Sequence, residues 1–74
     1  MKPHLAKRSF SLAGHRTSIA LEPEFWTALE EAARGQAVSL AALVAALDAA
    51  RAEDGGPLAS TLRVFVLRRA RGQG

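Results

Sequence analysis

A short stretch of alternating polar and apolar residues runs directly into a helix start, and this junction limits the possible folds more than any other feature. Residues 15–21 predict a β-strand, because every second side chain of a strand points to the same face. The apolar face of this strand consists of Thr17, Ile19 and Leu21. The opposite face consists of Arg16, Ser18 and Ala20. A single strand is unstable in water because its backbone N–H and C=O groups lack hydrogen-bond partners, so a second strand must pair with it.

The pattern leaves the partner of this strand open. Residues 9–12 also alternate, and Gly14 can take the positive φ of a tight turn, so one arrangement is a hairpin of 8–12 with 16–21 inside one chain. In the other arrangement, residues 8–12 extend or flank a ribbon made between two chains. We expect the second arrangement, with 16–21 paired to the same strand of a second copy. A chain of 74 residues without cysteine has few other means of enlarging its core.

Three helices are predicted after the strand, which makes the fold mostly α with a short β ribbon. The first helix begins at Pro23, where the missing N–H costs nothing, and Gly35 is its stop signal. The second begins at Ser39, a residue type that caps helix N-termini, and ends at residues 54–56. The third begins at Pro57 and is apolar over much of its circumference.

Charge is distributed unevenly along the chain. Residues 1–16 contain four basic and no acidic residues, residues 17–54 contain seven acidic and two basic residues, and residues 55–74 contain four basic and no acidic residues. Basic ends of this kind are typical of proteins that bind a polyanion, and also of plain solubilising tails. We divide the chain into a mobile basic arm (1–7), one domain (8–70) and a tail (71–74).

Several function classes lack support in the sequence. The two histidines, His4 and His15, are far apart and there is no cysteine, so we expect no metal site. No nucleophile–base pair and no Gly-rich phosphate loop is present, so we expect neither a cofactor nor enzymatic activity. There is no apolar run long enough to span a bilayer and no secretory leader, so we expect a cytoplasmic protein that does not bind membranes.

Most of the chain resembles the ribbon-helix-helix (MetJ/Arc-type) DNA-binding superfamily. The order of strand, immediate helix, turn and helix carries the general resemblance. Three segments resemble a small bacterial branch of it: Gly-His-Arg-Thr-Ser (14–18), Leu-Glu-x-x-Phe-Trp (21–26) and Leu-Arg-Val-Phe-Val-Leu (62–67). The resemblance implies an intertwined homodimer with an added third helix, and a DNA-binding transcriptional regulator that inserts a two-stranded antiparallel ribbon into the major groove of double-stranded DNA.

The resemblance also implies roles for individual residues. The base-facing positions of the ribbon are Arg16, Ser18 and Ala20. The residues expected at DNA phosphates are Ser39, Leu40, Lys7, Arg8 and His15. The expected dimer core consists of Thr17, Ile19, Leu21, Phe25, Trp26, Leu29, Leu40, Leu43, Val44 and Leu47. Only Arg16 can read a base strongly among the three ribbon positions, because Ser18 discriminates weakly and Ala20 offers only an apolar contact.

A second function fits the same pattern. The broad apolar surface of residues 58–67 suits a protein-interaction scaffold, an antitoxin-like dimer whose third helix docks another protein. The pairing of residues 16–21 bears on the choice between the two. A monomer with an internal hairpin has no two-chain ribbon to place in a groove.

Overall fold

A computed structural model describes residues 4–51 and 55–72 of the chain. Its elements in chain order are β1 (Ala6–Leu12), β2 (His15–Leu21), α1 (Pro23–Gly35), α2 (Leu40–Arg51) and α3 (Leu58–Ala70). The predicted fold class is therefore confirmed, with a short antiparallel ribbon followed by two helices and a third, C-terminal helix.

The two strands form a hairpin within the chain. β1 pairs with β2 over seven residues each, from Ala6 opposite Leu21 to Leu12 opposite His15. The loop consists of Ala13 and Gly14, and both have positive φ, 51° and 82°, as in a type I′ turn. This turn matches the twist of the strands and brings β1 onto β2. The internal hairpin, one of the two arrangements that the sequence leaves open, is therefore present, and β1 occupies one edge of β2. The pairing of β2 with the same strand of a second copy stays a prediction.

The element boundaries differ from the expected ones in a few places. β1 begins at Ala6, so residues 6 and 7 belong to the hairpin and not to an arm. Pro57 is the residue before α3 and not its first helical residue. The predicted end of α2 includes Asp54, which lies outside the described residues, as do the ends of the arm (1–3) and the tail (73–74).

The hydrophobic core lies between one face of the hairpin and the three helices. Its most completely buried large side chains are Leu21, Trp26, Leu29, Val44 and Leu62. The apolar faces of both strands contribute to it, with Phe10 and Leu12 from β1 and Ile19 from β2. Phe25, Leu40 and Leu47 are partly buried against this core. Most residues predicted for a dimer core thus already pack inside a single chain, and their contact with a second chain stays a prediction.

The C-terminal end of α1 is closed by a Schellman motif. The N–H of Val38 donates to the carbonyl of Ala33 at 3.0 Å, and the N–H of Ala37 donates to the carbonyl of Arg34 at 3.0 Å. The residue with positive φ in this motif is Ala37, at 58°. The stop therefore does not lie at Gly35, which is still helical, but two residues later at an alanine whose Cβ is strained in this conformation.

Ala37→Gly is expected to stabilise the fold by about 0.5–1 kcal/mol, because glycine adopts positive φ without strain and this gain exceeds its larger entropy loss on folding. Urea unfolding followed by circular dichroism measures the change. The matched control is Ala45→Gly at an exposed position inside α2, which is expected to destabilise by about 1 kcal/mol. A loss of stability in both variants would contradict the strained αL conformation at Ala37.

Candidate nucleic-acid interface

The outward face of the hairpin is the face that none of the three described helices covers. Alternation and register place six side chains on this outward face: Lys7, Ser9, Ser11, Arg16, Ser18 and Ala20. Five of them are exposed and Ala20 is half-buried, whereas the inner face carries the buried strand residues of the core. The structure shows the predicted division of β2 into a face that packs on the core and an outward face. The same division extends to β1.

The side chains of the outward face are matched across the two strands. Ser9 lies opposite Ser18, and their hydroxyl oxygens are 3.0 Å apart, a hydrogen-bond distance. Ser11 lies opposite Arg16, and Lys7 lies opposite Ala20. Among residues 4–51 and 55–72, neither Lys7 nor Arg16 is within ion-pair distance of an acid. The outward face thus presents two uncompensated cations and a row of hydroxyl groups to solvent.

Arg8 points to the other side of the hairpin. Its guanidinium donates to the Glu30 carboxylate at 2.8 Å and lies 5.0 Å from the ring centre of Trp26. The side chain is thus held against α1 by an ion pair and a cation–π contact, both of which direct it away from the outward face. The strand alternation that exposes Lys7 on the outward face places Arg8 on the opposite face. The predicted phosphate contact of Arg8 stays a prediction.

Trp26 joins β1 to α1. Its indole N–H donates to the carbonyl of Ala6 at 2.7 Å, and its ring lies 5.8 Å from that of Phe10. These contacts place the tryptophan against β1, a pairing that the sequence pattern does not indicate. Together with the Arg8–Glu30 ion pair, these contacts hold β1 against α1.

The remaining predicted phosphate ligands lie at two other places. The hydroxyl of Ser39 accepts a hydrogen bond from the N–H of Ala42 at 3.0 Å, which confirms the predicted cap of α2. Ser39 is exposed and Leu40 is half-buried, whereas His15 is exposed at the first position of β2. Their contacts with phosphate stay predictions.

Comparison with known protein families identifies this arrangement. The family model described as a ribbon-helix-helix domain matches residues 5–70, nearly the whole chain. The chain belongs to this family. Comparisons with curated proteins and with solved structures gave no match. Membership of the ribbon-helix-helix family supports a DNA-binding, regulatory role in general, and domains of this family are typically non-enzymatic.

Two further properties of this ribbon-helix-helix chain concern other kinds of site. Within residues 4–51 and 55–72, no helix is both long enough and apolar enough to cross a bilayer. Over the same two ranges, no three His, Asp or Glu side chains come together in a group that could hold a metal ion.

An ion pair connects the start of α1 to α3. The Nε–H of Arg63 donates a hydrogen bond to Oε1 of Glu22 at 3.0 Å, and Nη2 of Arg63 lies 3.0 Å from the same oxygen. The guanidinium is also 5.7 Å from the ring centre of Phe25. The pKa of Glu22 is lowered from 4.5, first by a hydrogen bond from its own backbone N–H and then by Arg63. The third helix of this ribbon-helix-helix chain is thus tied to the strand–helix junction.

The stability of the fold is expected to fall in acid partly through Glu22. Because folding lowers its pKa, this carboxylate stabilises the native state at pH above the unfolded-chain value of 4.5, and the contribution disappears as pH falls through the lower native value. Thermal unfolding midpoints of wild type and Glu22→Gln should therefore differ at neutral pH and converge in acid. The control is Glu31→Gln, on an exposed position of α1, which should keep the wild-type pH profile. Parallel profiles for wild type and Glu22→Gln would contradict this role.

Proposed function

We propose that the chain is a homodimeric DNA-binding protein of the bacterial cytoplasm that regulates transcription by inserting an antiparallel ribbon into the major groove. The observation that carries this proposal is the outward face of the hairpin, which is uncovered and cationic while the opposite face is sealed by the core. The major groove, about 12 Å wide, admits a two-stranded ribbon. Membership of the ribbon-helix-helix family supports the same role.

Arg16 is the side chain that we assign to base reading. It is exposed on the outward face of β2, and within the described residues no acid competes for its guanidinium. A guanidinium donates two parallel hydrogen bonds to O6 and N7 of guanine, which no other base offers in the major groove. Ser18 adds a hydroxyl that donates or accepts, and Ala20 adds an apolar contact of the kind that a thymine methyl makes.

Phosphate contacts position the ribbon in this proposal. Lys7 shares the outward face with Arg16, and His15 is exposed beside the hairpin loop. The start of α2 offers free backbone N–H groups near Ser39 and Leu40, together with the positive end of the helix dipole. Arg8 is not included, because Glu30 and Trp26 already engage it.

Titration of duplex DNA at several salt concentrations tests the proposal. Fluorescence anisotropy of a labelled random-sequence duplex should report binding that weakens steeply with salt. The slope of log affinity against log salt should be about −0.9 for each phosphate neutralised. Sedimentation of the free protein and of the complex measures the number of chains. The absence of duplex binding at low salt would refute the DNA-binding role, and binding as a single chain would refute the homodimer.

One observation favours the protein-interaction scaffold as a second candidate. Val64 and Leu67 on α3 are 40% and 52% exposed, although the same helix buries Leu62 completely. α3 therefore belongs to the core of the chain and also leaves two apolar side chains in solvent. If α3 docks a protein, a pull-down recovers one stoichiometric partner, which Val64→Ser/Leu67→Ser loses while duplex DNA binding is unchanged.

A further inference from the structure

We propose that two outward side chains of β1, Ser9 and Ser11, contact DNA phosphates along the rim of the major groove, beside the ribbon that enters it. This inference rests on the proposed function, in which β2 pairs with the same strand of a second copy. It adds a phosphate-contacting strand on each side of that two-chain ribbon. Lys7, which the proposed function already assigns to phosphate, lies on the same strand and the same face.

The hairpin is compatible with a ribbon made by two chains. A strand has two edges, and β1 occupies one edge of β2 in the described part of the chain. In the proposed dimer, the other edge of β2 pairs with the second copy. β1 stays in place there, because its inner face buries Phe10 and Leu12 and the carbonyl of Ala6 accepts the indole hydrogen bond of Trp26. Each β2 of the dimer is therefore flanked by its own β1.

The spacing of strands places β1 at the rim of the groove. Neighbouring strands are about 4.8 Å apart, so in the dimer each β2 lies about 2.4 Å from the two-fold axis and each β1 lies about 7.2 Å from it. The major groove is about 12 Å wide, so its walls stand about 6 Å from the axis of a ribbon centred in it. The β2 strands therefore face the base edges, whereas each β1 lies over a sugar–phosphate backbone.

The outward side chains of β1 have the size that this position requires. Ser9 and Ser11 are exposed and alternate with the buried Phe10 and Leu12, so they point to the same side as Arg16. The groove is about 8.5 Å deep, so its walls stand closer to the sheet than the base edges do. A long side chain fits over the floor of the groove and a short one fits over the wall. Arg16 on β2 and the two serines on β1 follow this order.

The hydroxyl groups of β1 can donate to phosphate oxygens. The hydroxyl oxygens of Ser9 and Ser18 lie 3.0 Å apart across the strands, and only one of the two O–H groups donates within this pair. The other O–H remains for a phosphate oxygen. Ser11 is exposed opposite Arg16, at the loop end of the hairpin. Serine is among the residues that commonly donate to phosphates, and none of the six side chains of the outward face is acidic.

Scanning of the DNA phosphates tests the contact of Ser11. Wild type first selects a preferred duplex from a random library. Single phosphates of this duplex are then replaced by uncharged methylphosphonates, and fluorescence anisotropy measures each affinity. We expect Ser11→Ala to bind the unmodified duplex about 3- to 10-fold more weakly and to lose sensitivity at one phosphate of each half-site. The control Ser60→Ala, at an exposed position of α3, should keep the wild-type affinity and phosphate pattern.

The outcomes separate this inference from the proposed function. If Ser11→Ala keeps the phosphate pattern of wild type, β1 does not contact the backbone, and the inference is wrong while the proposed function stands. The same holds if Ser11→Ala relaxes the base preference and leaves every phosphate contact intact. If wild type binds no duplex at low salt, the proposed function fails and the inference fails with it.

A bulky side chain tests the same contact on any duplex. Ser11→Leu replaces the exposed hydroxyl by a branched apolar group that holds a phosphate away from β1. We expect it to bind a random-sequence duplex at least about 10-fold more weakly than wild type, whereas the control Ser60→Leu binds as wild type does. Circular dichroism checks that both variants keep the fold. Wild-type affinity in Ser11→Leu would overturn the inference, because no phosphate would then approach β1.

Discussion

Trp26→Ala is expected to lower the free energy of unfolding by about 3–5 kcal/mol, a large part of the stability of a small domain. The side chain is 1% exposed, and its loss leaves a cavity between β1 and α1 beside Phe10. It also removes the donor to the carbonyl of Ala6 and the aromatic surface under Arg8. Urea unfolding followed by circular dichroism measures the change, since Trp26 is the only tryptophan and fluorescence is lost with it.

Two control variants separate the causes of this loss. Trp26→Phe keeps an aromatic ring but removes the indole N–H, so its cost of about 1–3 kcal/mol reports the hydrogen bond to Ala6 together with a smaller cavity. Val64→Ala removes apolar surface from an exposed position and should change stability by less than about 0.5 kcal/mol. A loss below about 1 kcal/mol for Trp26→Ala would mean that the tryptophan does not hold the hairpin on α1.

Arg16→Ala is expected to weaken binding to the preferred duplex by about 10- to 100-fold, because a bidentate contact with guanine provides about 1–3 kcal/mol of discrimination. The fold should be unaffected, since the side chain is exposed and has no ion-pair partner within the described residues. Competition between specific and random duplexes at fixed salt measures the effect. The affinity for the specific duplex should fall, and the ratio of that affinity to the affinity for the random duplex should fall as well.

Two variants separate base reading by Arg16 from simple charge attraction. Arg34→Ala removes the same charge from an exposed position at the end of α1, outside the hairpin, and should weaken binding by less than about 3-fold. Arg16→Lys keeps the charge without the planar fork, so it should keep the salt dependence and lose sequence preference. Equal losses for Arg16→Ala and Arg34→Ala would contradict a base contact and indicate nonspecific attraction.

The resemblance to a known family pointed to the right fold, and the alternation of β2 identified the face that the structure leaves uncovered. The same reasoning missed Ser9 and Ser11, although their alternation with Phe10 and Leu12 was visible in the sequence. Their place on the outward face depends on the hairpin, because pairing within the chain is what puts β1 side chains next to Arg16 and Ser18. The ion pair of Arg8 was not predicted for a related reason, since its partner Glu30 lies 22 residues away.

Local features of this protein were determined by the sequence alone. The two faces of β2, the start of α1 at Pro23 and the cap of α2 by Ser39 depend on side-chain alternation and on backbone groups a few residues apart. The tertiary structure decided which strand pairs with β2, where α1 stops and which cations remain free. The strand pairing and the ion pairs depend on contacts between residues distant in sequence. The end of α1 depends on a positive φ at Ala37, which the hydrogen bonds of the Schellman motif hold against the intrinsic preference of alanine.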